Sequence, residues 1–207
     1  QQVASTFISY ANAVASFFIV IFSPLFGVWI DNTGYKKRFI VWFASLSIFF
    51  TFMMGIFAEI NNDILYAGIP LSLCLTVISF VIAKFFFNSS LVFYDSMMSD
   101  LGTKKEMPLI SGFGVAIGYF GTIVGLLVYL LVSDGNYHRA FIPTAILYLI
   151  FSLPLFFINK DNPKPKSERK PIKFLDGYKE IIRTFKEMKM YKSVFIFMIA
   201  YFFLNDA

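Results

Sequence analysis

The sequence has little charge, one histidine and one cysteine. Charged residues make up 15% of the 207 positions and hydrophobic residues 57%, whereas a soluble domain has about 25% and roughly 45–50%. A water-soluble globule cannot cover so much apolar side chain with so few charges. This composition excludes a cytosolic enzyme and a disordered chain. Cys74 has no second cysteine to pair with, which excludes a secreted disulfide scaffold.

Signatures of metal and nucleotide chemistry are also missing from the sequence. His138 is the only histidine, so a transition-metal site built from histidine and cysteine is not expected. No phosphate-binding loop of the Gly-Lys-Ser/Thr type occurs, which excludes an encoded ATP-driven motor. We therefore expect no catalytic residues, no metal and no cofactor, and any transport must be driven by a gradient.

Long apolar runs dominate what is present. A helix needs roughly 20 residues to cross the hydrocarbon core of a bilayer. Lipid offers no partners to backbone N–H and C=O groups, so helices are expected, and the runs lack the strict alternation of a membrane barrel. The sequence therefore predicts an all-α, polytopic helical-bundle membrane protein. The runs are Val3–Ile30, Phe39–Phe57, Ile64–Met98, Leu109–Val132, Ala140–Ile158 and the segment from Val194 onward.

Basic residues alternate between the predicted loops. Sixteen of the 18 Lys and Arg residues lie in the first, third and fifth loops, and one, Arg139, lies in the even-numbered loops. Cytoplasmic loops of membrane proteins carry such an excess of bases. We therefore expect the odd-numbered loops to be cytoplasmic, in a multi-pass protein of the plasma (inner) membrane.

The charge pattern divides the chain into three parts. Residues 1–158 are predicted to hold five transmembrane helices, 159–192 a basic cytoplasmic linker, and 193–207 the start of a further span, as in a fragment of a longer protein. Within the linker, Ile172–Met190 has apolar residues at helical spacing opposite a charged face. Such a helix either lies on membrane lipid or packs on other cytoplasmic loops. Nucleic acid is not an expected partner, because the charges are mixed.

Polar residues inside the spans are the candidate binding residues. Lys84, Asn88 and Asp95 share one helical face, and Asn12 lies on a polar stripe of the first span. A lysine at the bilayer centre costs about 3 kcal/mol on insertion scales, so such residues usually serve function. Asp95 is about 16 Å from Lys84 along the helix axis and is too far to pair with it. We therefore expect these four residues to contact a small polar solute. The alternative for the stripe that contains Asn12 is hydrogen bonding across a helix interface.

Two further features lie in the later spans. A face of small residues predicts close helix packing in the fourth span, and it consists of Gly114, Gly118, Gly121 and Gly125. Asp206, in the last apolar segment, is a candidate site for a coupling proton or cation. Its alternative location is the far membrane interface.

Four stretches carry a family resemblance. Gly27-x-x-x-Asp31-x-x-Gly34-x-Lys36-Lys37-Arg38 resembles the loop signature between the second and third helices of major facilitator superfamily transporters. Within that superfamily, the chain resembles the vacuole effluxer family of autophagy-related transporters and its prokaryotic relatives. The stretches that carry this closer resemblance are Phe93–Asp100, Ser111–Gly121 and Ala200–Asp206.

The resemblance implies a fold of twelve helices in two six-helix halves, of which this chain holds helices two to seven. It implies secondary active transport by alternating access, with a cytoplasmic gate formed by Gly27, Asp31, Gly34 and Lys36–Arg38. The family name suggests amino acids as the small polar solute. The alternatives are a non-transporting membrane receptor or scaffold on the same bundle, or a cation-coupled sugar symporter.

Overall fold

The protein is a bundle of apolar helices. The computed structural model describes residues 2–60, 65–66, 69–98, 100–103, 105–132, 136–158, 160–161, 163, 165, 174–188 and 190–205. Its helices are α1 (Gln2–Thr33), α2 (Lys37–Glu59), α3 (Leu71–Met98), α4 (Met107–Leu131), α5 (Phe141–Ile158), α6 (Phe174–Met188) and α7 (Lys192–Asn205). A 3-10 helix, Tyr137–Ala140, precedes α5, and a two-stranded antiparallel hairpin, β1 (Leu65–Tyr66) and β2 (Ile69–Pro70), precedes α3.

Five helices are long and apolar enough to cross a membrane. They are the segments Thr6–Thr33, Lys37–Glu59, Leu71–Met98, Met107–Val128 and His138–Ile158. Each corresponds to one of the first five apolar runs in the sequence, and the sixth run begins within the shorter apolar helix α7. The prediction of an all-α polytopic bundle is confirmed, apart from the small hairpin.

The third span begins later than the sequence predicts. The apolar run starts at Ile64, but the helix starts at Leu71, after the pairing of Leu65 with Pro70 and of Tyr66 with Ile69. Pro70 explains the difference, because a proline keeps the residue before it in an extended conformation. Leu65, Tyr66 and Ile69 therefore belong to the hairpin and not to the helix.

The core of the bundle is formed by aromatic rings near one end of α1, α2 and α3. Phe93 is fully buried, and its ring centroid lies 5.0 Å from that of Phe39, 5.5 Å from that of Phe26 and 5.6 Å from that of Phe43. Ring pairs at such distances stabilise a packed core beyond the area they bury. We call this the basic end of the bundle: the C-terminal ends of α1 and α3, the N-terminus of α2, and residues 160–161.

A single glycine turns the chain between α1 and α2. Gly34 has a φ of 69°, a left-handed conformation that glycine adopts without steric cost. Its N–H donates to the carbonyl of Ile30 at 2.8 Å, a helix-ending arrangement that satisfies one of the last carbonyls of α1. Helix α2 can therefore begin only three residues later.

The amphipathic helix α6 packs against α1. Tyr178 donates its hydroxyl hydrogen to the carbonyl of Ile21 at 2.6 Å, and a Cβ at Gly177 would lie 2.7 Å from the carbonyl carbon of Pro24. The structure thus places Gly177 and Tyr178 of α6 against a membrane-spanning helix. The packing of its apolar face on lipid or on cytoplasmic loops stays a prediction. Leu175, Ile182 and Phe185 remain exposed. The first two residues of the predicted helix, 172–173, lie outside the described part of the chain.

Candidate functional site

Lys84 lies at the middle of α3, beside a cavity between α2, α3 and α5. It is the fourteenth of the 28 residues of this helix, about 20 Å from either end. The cavity has a volume of about 420 Å³. Its lining residues are Ser47, Thr51, Met54, Phe80, Ala83, Lys84, Phe87, Asn88, Phe141, Thr144 and Tyr148.

The structure brings together two residues that the sequence could only place on separate helices. The Lys84 ammonium donates a hydrogen bond to the amide oxygen of Asn12 on α1. Among the described residues, no carboxylate forms a salt bridge with Lys84. The ammonium therefore keeps donors for a further acceptor, because a lysine has three and an amide oxygen is a neutral partner.

The other polar groups of the cavity come from α2 and α5. The Ser47 hydroxyl donates to the carbonyl of Ala83 at 3.0 Å and so ties α2 to α3. Thr51 donates to the carbonyl of Ser47 at 2.8 Å, within its own helix. Tyr148 reaches the side chains of Ser90 and Ser47 from α5. These hydroxyls were missed from the sequence, although the four-residue spacings of 47 with 51 and of 144 with 148 would have placed each pair on one helical face.

Two neighbouring cavities extend this one in both directions. A larger cavity of about 570 Å³ shares Met54, Phe80 and Phe141 with it and opens between the N-terminal ends of α1, α3 and α5, beside His138. We call this the vestibule end of the bundle. A cavity of about 230 Å³ shares Phe87 and Tyr148 with it and lies towards the basic end. Lys84 thus sits beside the middle of three cavities that share lining residues.

The two remaining predicted binding residues, Asn88 and Asp95, lie in different parts of α3. Asn88 lines the cavity with Lys84, one helical turn further along α3. Asp95 is exposed near the basic end and does not line any of these three cavities. Its role in binding stays a prediction. Asp206, the candidate site for a coupling proton or cation, lies outside the described residues.

The predicted gate loop is held by acids that the sequence analysis missed. The Lys36 ammonium forms a salt bridge with Asp100 at 2.7 Å and donates to the carbonyl of Ser96 at 2.8 Å, both at the end of α3. Asp161 accepts hydrogen bonds from the backbone N–H groups of residues 36–38. No local spacing signals either contact, since Asp100 and Asp161 are 64 and more than 120 positions from their partners.

The other gate residues occupy the same end. Asp31 is exposed, three residues before Gly34, and Arg38 is exposed in the first turn of α2. A Cβ added at Gly27 would meet nothing within 4 Å among the described residues. The structure thus groups the signature residues at the basic end, and their function as a gate stays a prediction.

Helix α4 contrasts with the packed helices. Gly114, Gly118, Gly121 and Gly125 face open space, with nothing in the described residues within 4 Å of an added Cβ. Their role in helix packing stays a prediction. The start of α4 is well defined, because Glu106 accepts hydrogen bonds from the backbone N–H of Thr103 at 2.9 Å and from its hydroxyl at 2.8 Å. These bonds stabilise the carboxylate and hold the pKa of Glu106 below its ordinary value.

The vestibule end has a looser ionic contact. Arg139, in the 3-10 helix, lies 3.9 Å from Glu59 at the end of α2, and both side chains are more than half exposed.

In the described part of the chain, no group of three histidine, cysteine or acidic side chains could hold a metal ion.

The chain belongs to the Major Facilitator Superfamily, whose model matches residues 1–206. It is a multi-pass integral membrane protein, as the five membrane-length helices also indicate. The resemblance to this superfamily that the sequence motifs carry is confirmed.

Among curated proteins, the chain is similar to the uncharacterized MFS-type transporter YxiO of Bacillus subtilis, with 26% identity over 98% of the chain and 47% of that protein. It is also similar to autophagy-related protein 22 of Kluyveromyces lactis, with 24% identity over 86% of the chain and 39% of that protein. The protein of that name from Yarrowia lipolytica is 30% identical over 47% of the chain and 21% of its own length. The chain thus spans less than half the length of each relative. No solved structure matches it.

Proposed function

We propose that the complete protein is a secondary active transporter that moves a small polar solute across the membrane by alternating access. The observation that carries this proposal is the position of Lys84, half-way along a membrane-length helix and beside a cavity. A cation at that depth costs about 3 kcal/mol unless it faces water or a polar partner. A solute-binding cavity supplies both, and transporters of this kind bind their substrates near the bilayer midplane.

In this proposal, Lys84 orients the solute and balances its charge. Asn12 holds the ammonium from α1, and Asn88 adds an amide one turn away, so a solute with a carboxylate or another strong acceptor fits best. Amino acids are therefore the first class to test. Asp95 and Asp206 are candidates for further polar contacts and for coupling to a proton or cation. On this proposal the chain catalyses no reaction.

The basic end would face the cytoplasm and close the passage there. The excess of Lys and Arg at this end supports that orientation in the plasma membrane. Residues 159–192 would then form a cytoplasmic linker between two half-bundles. The exposed apolar residues of α6 would lie against membrane lipid or against the second half.

The test is uptake by the full-length protein in proteoliposomes, with a radiolabelled amino-acid mixture as the probe. We expect Lys84→Ala to reduce uptake at least about tenfold, because loss of one charged hydrogen bond is worth about 1.5–3 kcal/mol. Lys84→Arg should retain part of the uptake. The matched control is Lys105→Ala, which removes an exposed lysine outside the cavities.

Two results would contradict the proposal. Unchanged uptake kinetics in Lys84→Ala would remove the role of Lys84. No uptake or exchange of any labelled solute by the wild-type protein, together with no thermal shift on adding solutes, would instead support a receptor or scaffold.

A further inference from the structure

The first turn of α2 is capped by a side chain that is more than 120 positions away in the sequence, just beyond the end of α5. The Asp161 carboxylate accepts hydrogen bonds from the N–H groups of Lys36 at 2.8 Å, Lys37 at 2.7 Å and Arg38 at 3.1 Å. Lys36, at the N-cap position, provides no side-chain cap of its own. Asp161 therefore takes the place of the local serine, threonine or asparagine that usually caps a helix.

This contact has a clear physical reason. The first N–H groups of a helix have no partners within it, and the helix dipole makes this end positive. A carboxylate satisfies both conditions, and hydrogen bonds to a charged acceptor are stronger than neutral ones. Since three successive N–H groups converge on one side chain, the backbone of residues 36–38 is fixed in position and direction.

The fixed backbone in turn aims the Lys36 side chain at α3. The side chain is largely buried, with 16% exposed, and its ammonium reaches Asp100 and the carbonyl of Ser96. A continuous set of polar contacts therefore runs from Asp161 through the start of α2 to the end of α3. Asp161 lies only three residues after α5 ends at Ile158, so this set also joins the exit of α5.

We propose that Asp161 is a positioning residue of the gate at the basic end: by capping α2 it holds Lys36 on Asp100 and keeps this end closed. The inference rests on the proposed transport function, because it gives the loop a gating role. Because Asp161 makes these contacts, residues 160–161, which follow α5, are attached directly to the gate loop. A displacement of this segment therefore acts first on the three N–H groups at the start of α2.

The experiment measures access to the cavity and needs no identified solute. In the full-length protein, all native cysteines including Cys74 are replaced by serine, and Asn88→Cys serves as the reporter. A membrane-impermeant maleimide is added to membrane vesicles from the side of the basic end, and the labelling rate of the reporter is measured. Uptake of the radiolabelled amino-acid mixture is measured in parallel, with Asn88 intact.

We expect Asp161→Ala to raise the labelling rate about fivefold, as fits the loss of one N-cap. Asp161→Asn should label at a rate between those of the wild type and Asp161→Ala, because its one amide oxygen can accept the bonds that Oδ1 accepts from Lys36 and Lys37 but not the one that Oδ2 accepts from Arg38. The matched control, Glu187→Ala, removes an exposed carboxylate from α6, outside this set of contacts, and should leave the rate unchanged. Asp100→Asn removes the ionic partner of Lys36 and should also raise the labelling rate. This second variant keeps the test decisive if Asp161→Ala does not fold.

The outcomes separate this inference from the proposed function. Wild-type labelling rates in both Asp161→Ala and Asp100→Asn would overturn the positioning role. If Asp161→Asn labelled as fast as Asp161→Ala, charge and not capping would control access, which would overturn it as well. If the wild-type protein carried no solute while the labelling pattern held, the transport proposal would fail and the positioning of Lys36 by Asp161 would stand.

Discussion

The two ends of the bundle are held together by different means. At the basic end, aromatic rings pack around Phe93, one carboxylate caps α2, and a largely buried lysine is paired with Asp100. At the vestibule end, the described residues contribute an apolar cavity and one wide ion pair between Arg139 and Glu59. The contacts that make the bundle rigid are therefore concentrated at the basic end. The two ends should differ in the free energy needed to separate the helices.

The largest expected effect is at the centre of the aromatic cluster. Phe93→Ala should destabilise the protein by about 3 kcal/mol, the lower end of the usual range for such a change. The empty space left by the ring still costs free energy. The free energy of transferring the ring out of its surroundings contributes less than in a soluble protein, because lipid is as apolar as the core. Thermal unfolding in detergent measures the change, and Phe157→Ala, at a ring that is 80% exposed, is the matched control. Equal shifts in the two variants would show that the cluster is not the rigid part.

The second-largest expected effect is a difference in coupling energy between the two ion pairs. A double-mutant cycle with Lys36→Gln and Asp100→Asn should give a coupling energy of about 1 kcal/mol, because the lysine is largely buried and the contact is short. The same cycle with Arg139→Gln and Glu59→Gln should give less than about 0.3 kcal/mol, because both side chains are exposed and 3.9 Å apart. Chemical unfolding of the full-length protein measures both. A larger coupling at the vestibule end would reverse the comparison.

The smallest effect concerns pH and the start of α4. The hydrogen bonds from Thr103 lower the pKa of Glu106, so they stabilise the folded state above the unfolded-state pKa and lose this effect as the pH falls through the lowered value. We therefore expect the protection factors of the amides of residues 105–107, which are corrected for the intrinsic pH dependence of exchange, to fall below about pH 4. Glu106→Gln can still accept these bonds and should remove that dependence. A pH-independent protection factor at these amides in the wild-type protein would exclude the capping role of the carboxylate.

Sequence reasoning succeeded where the cause is local. The spans follow from the length of each apolar run, and the left-handed turn follows from Gly34 in a short connection. It placed Lys84 in mid-span, because the position of a residue within an apolar run gives its depth in the membrane. These features need no knowledge of which helix is the neighbour.

It failed where the cause is a distant contact. The cap on α2 comes from Asp161, and the partner of Lys36 is Asp100, and neither follows from spacing along the chain. Asn12 and Lys84 were both selected, but their contact depends on how α1 packs against α3. The late start of α3 was missed because Pro70 lies within an uninterrupted apolar run.

The seat of α6 on α1 has a consequence for how far a disturbance of the linker can travel. Pro24 has no N–H, so the α1 backbone lacks one hydrogen bond at this point, to the carbonyl of Val20. Tyr178 donates to the very next carbonyl, that of Ile21, and so braces the helix from outside at its weakest turn. Removing or shifting α6 would therefore change the stiffness of α1. A change in α6 would in this way alter a helix within the bilayer.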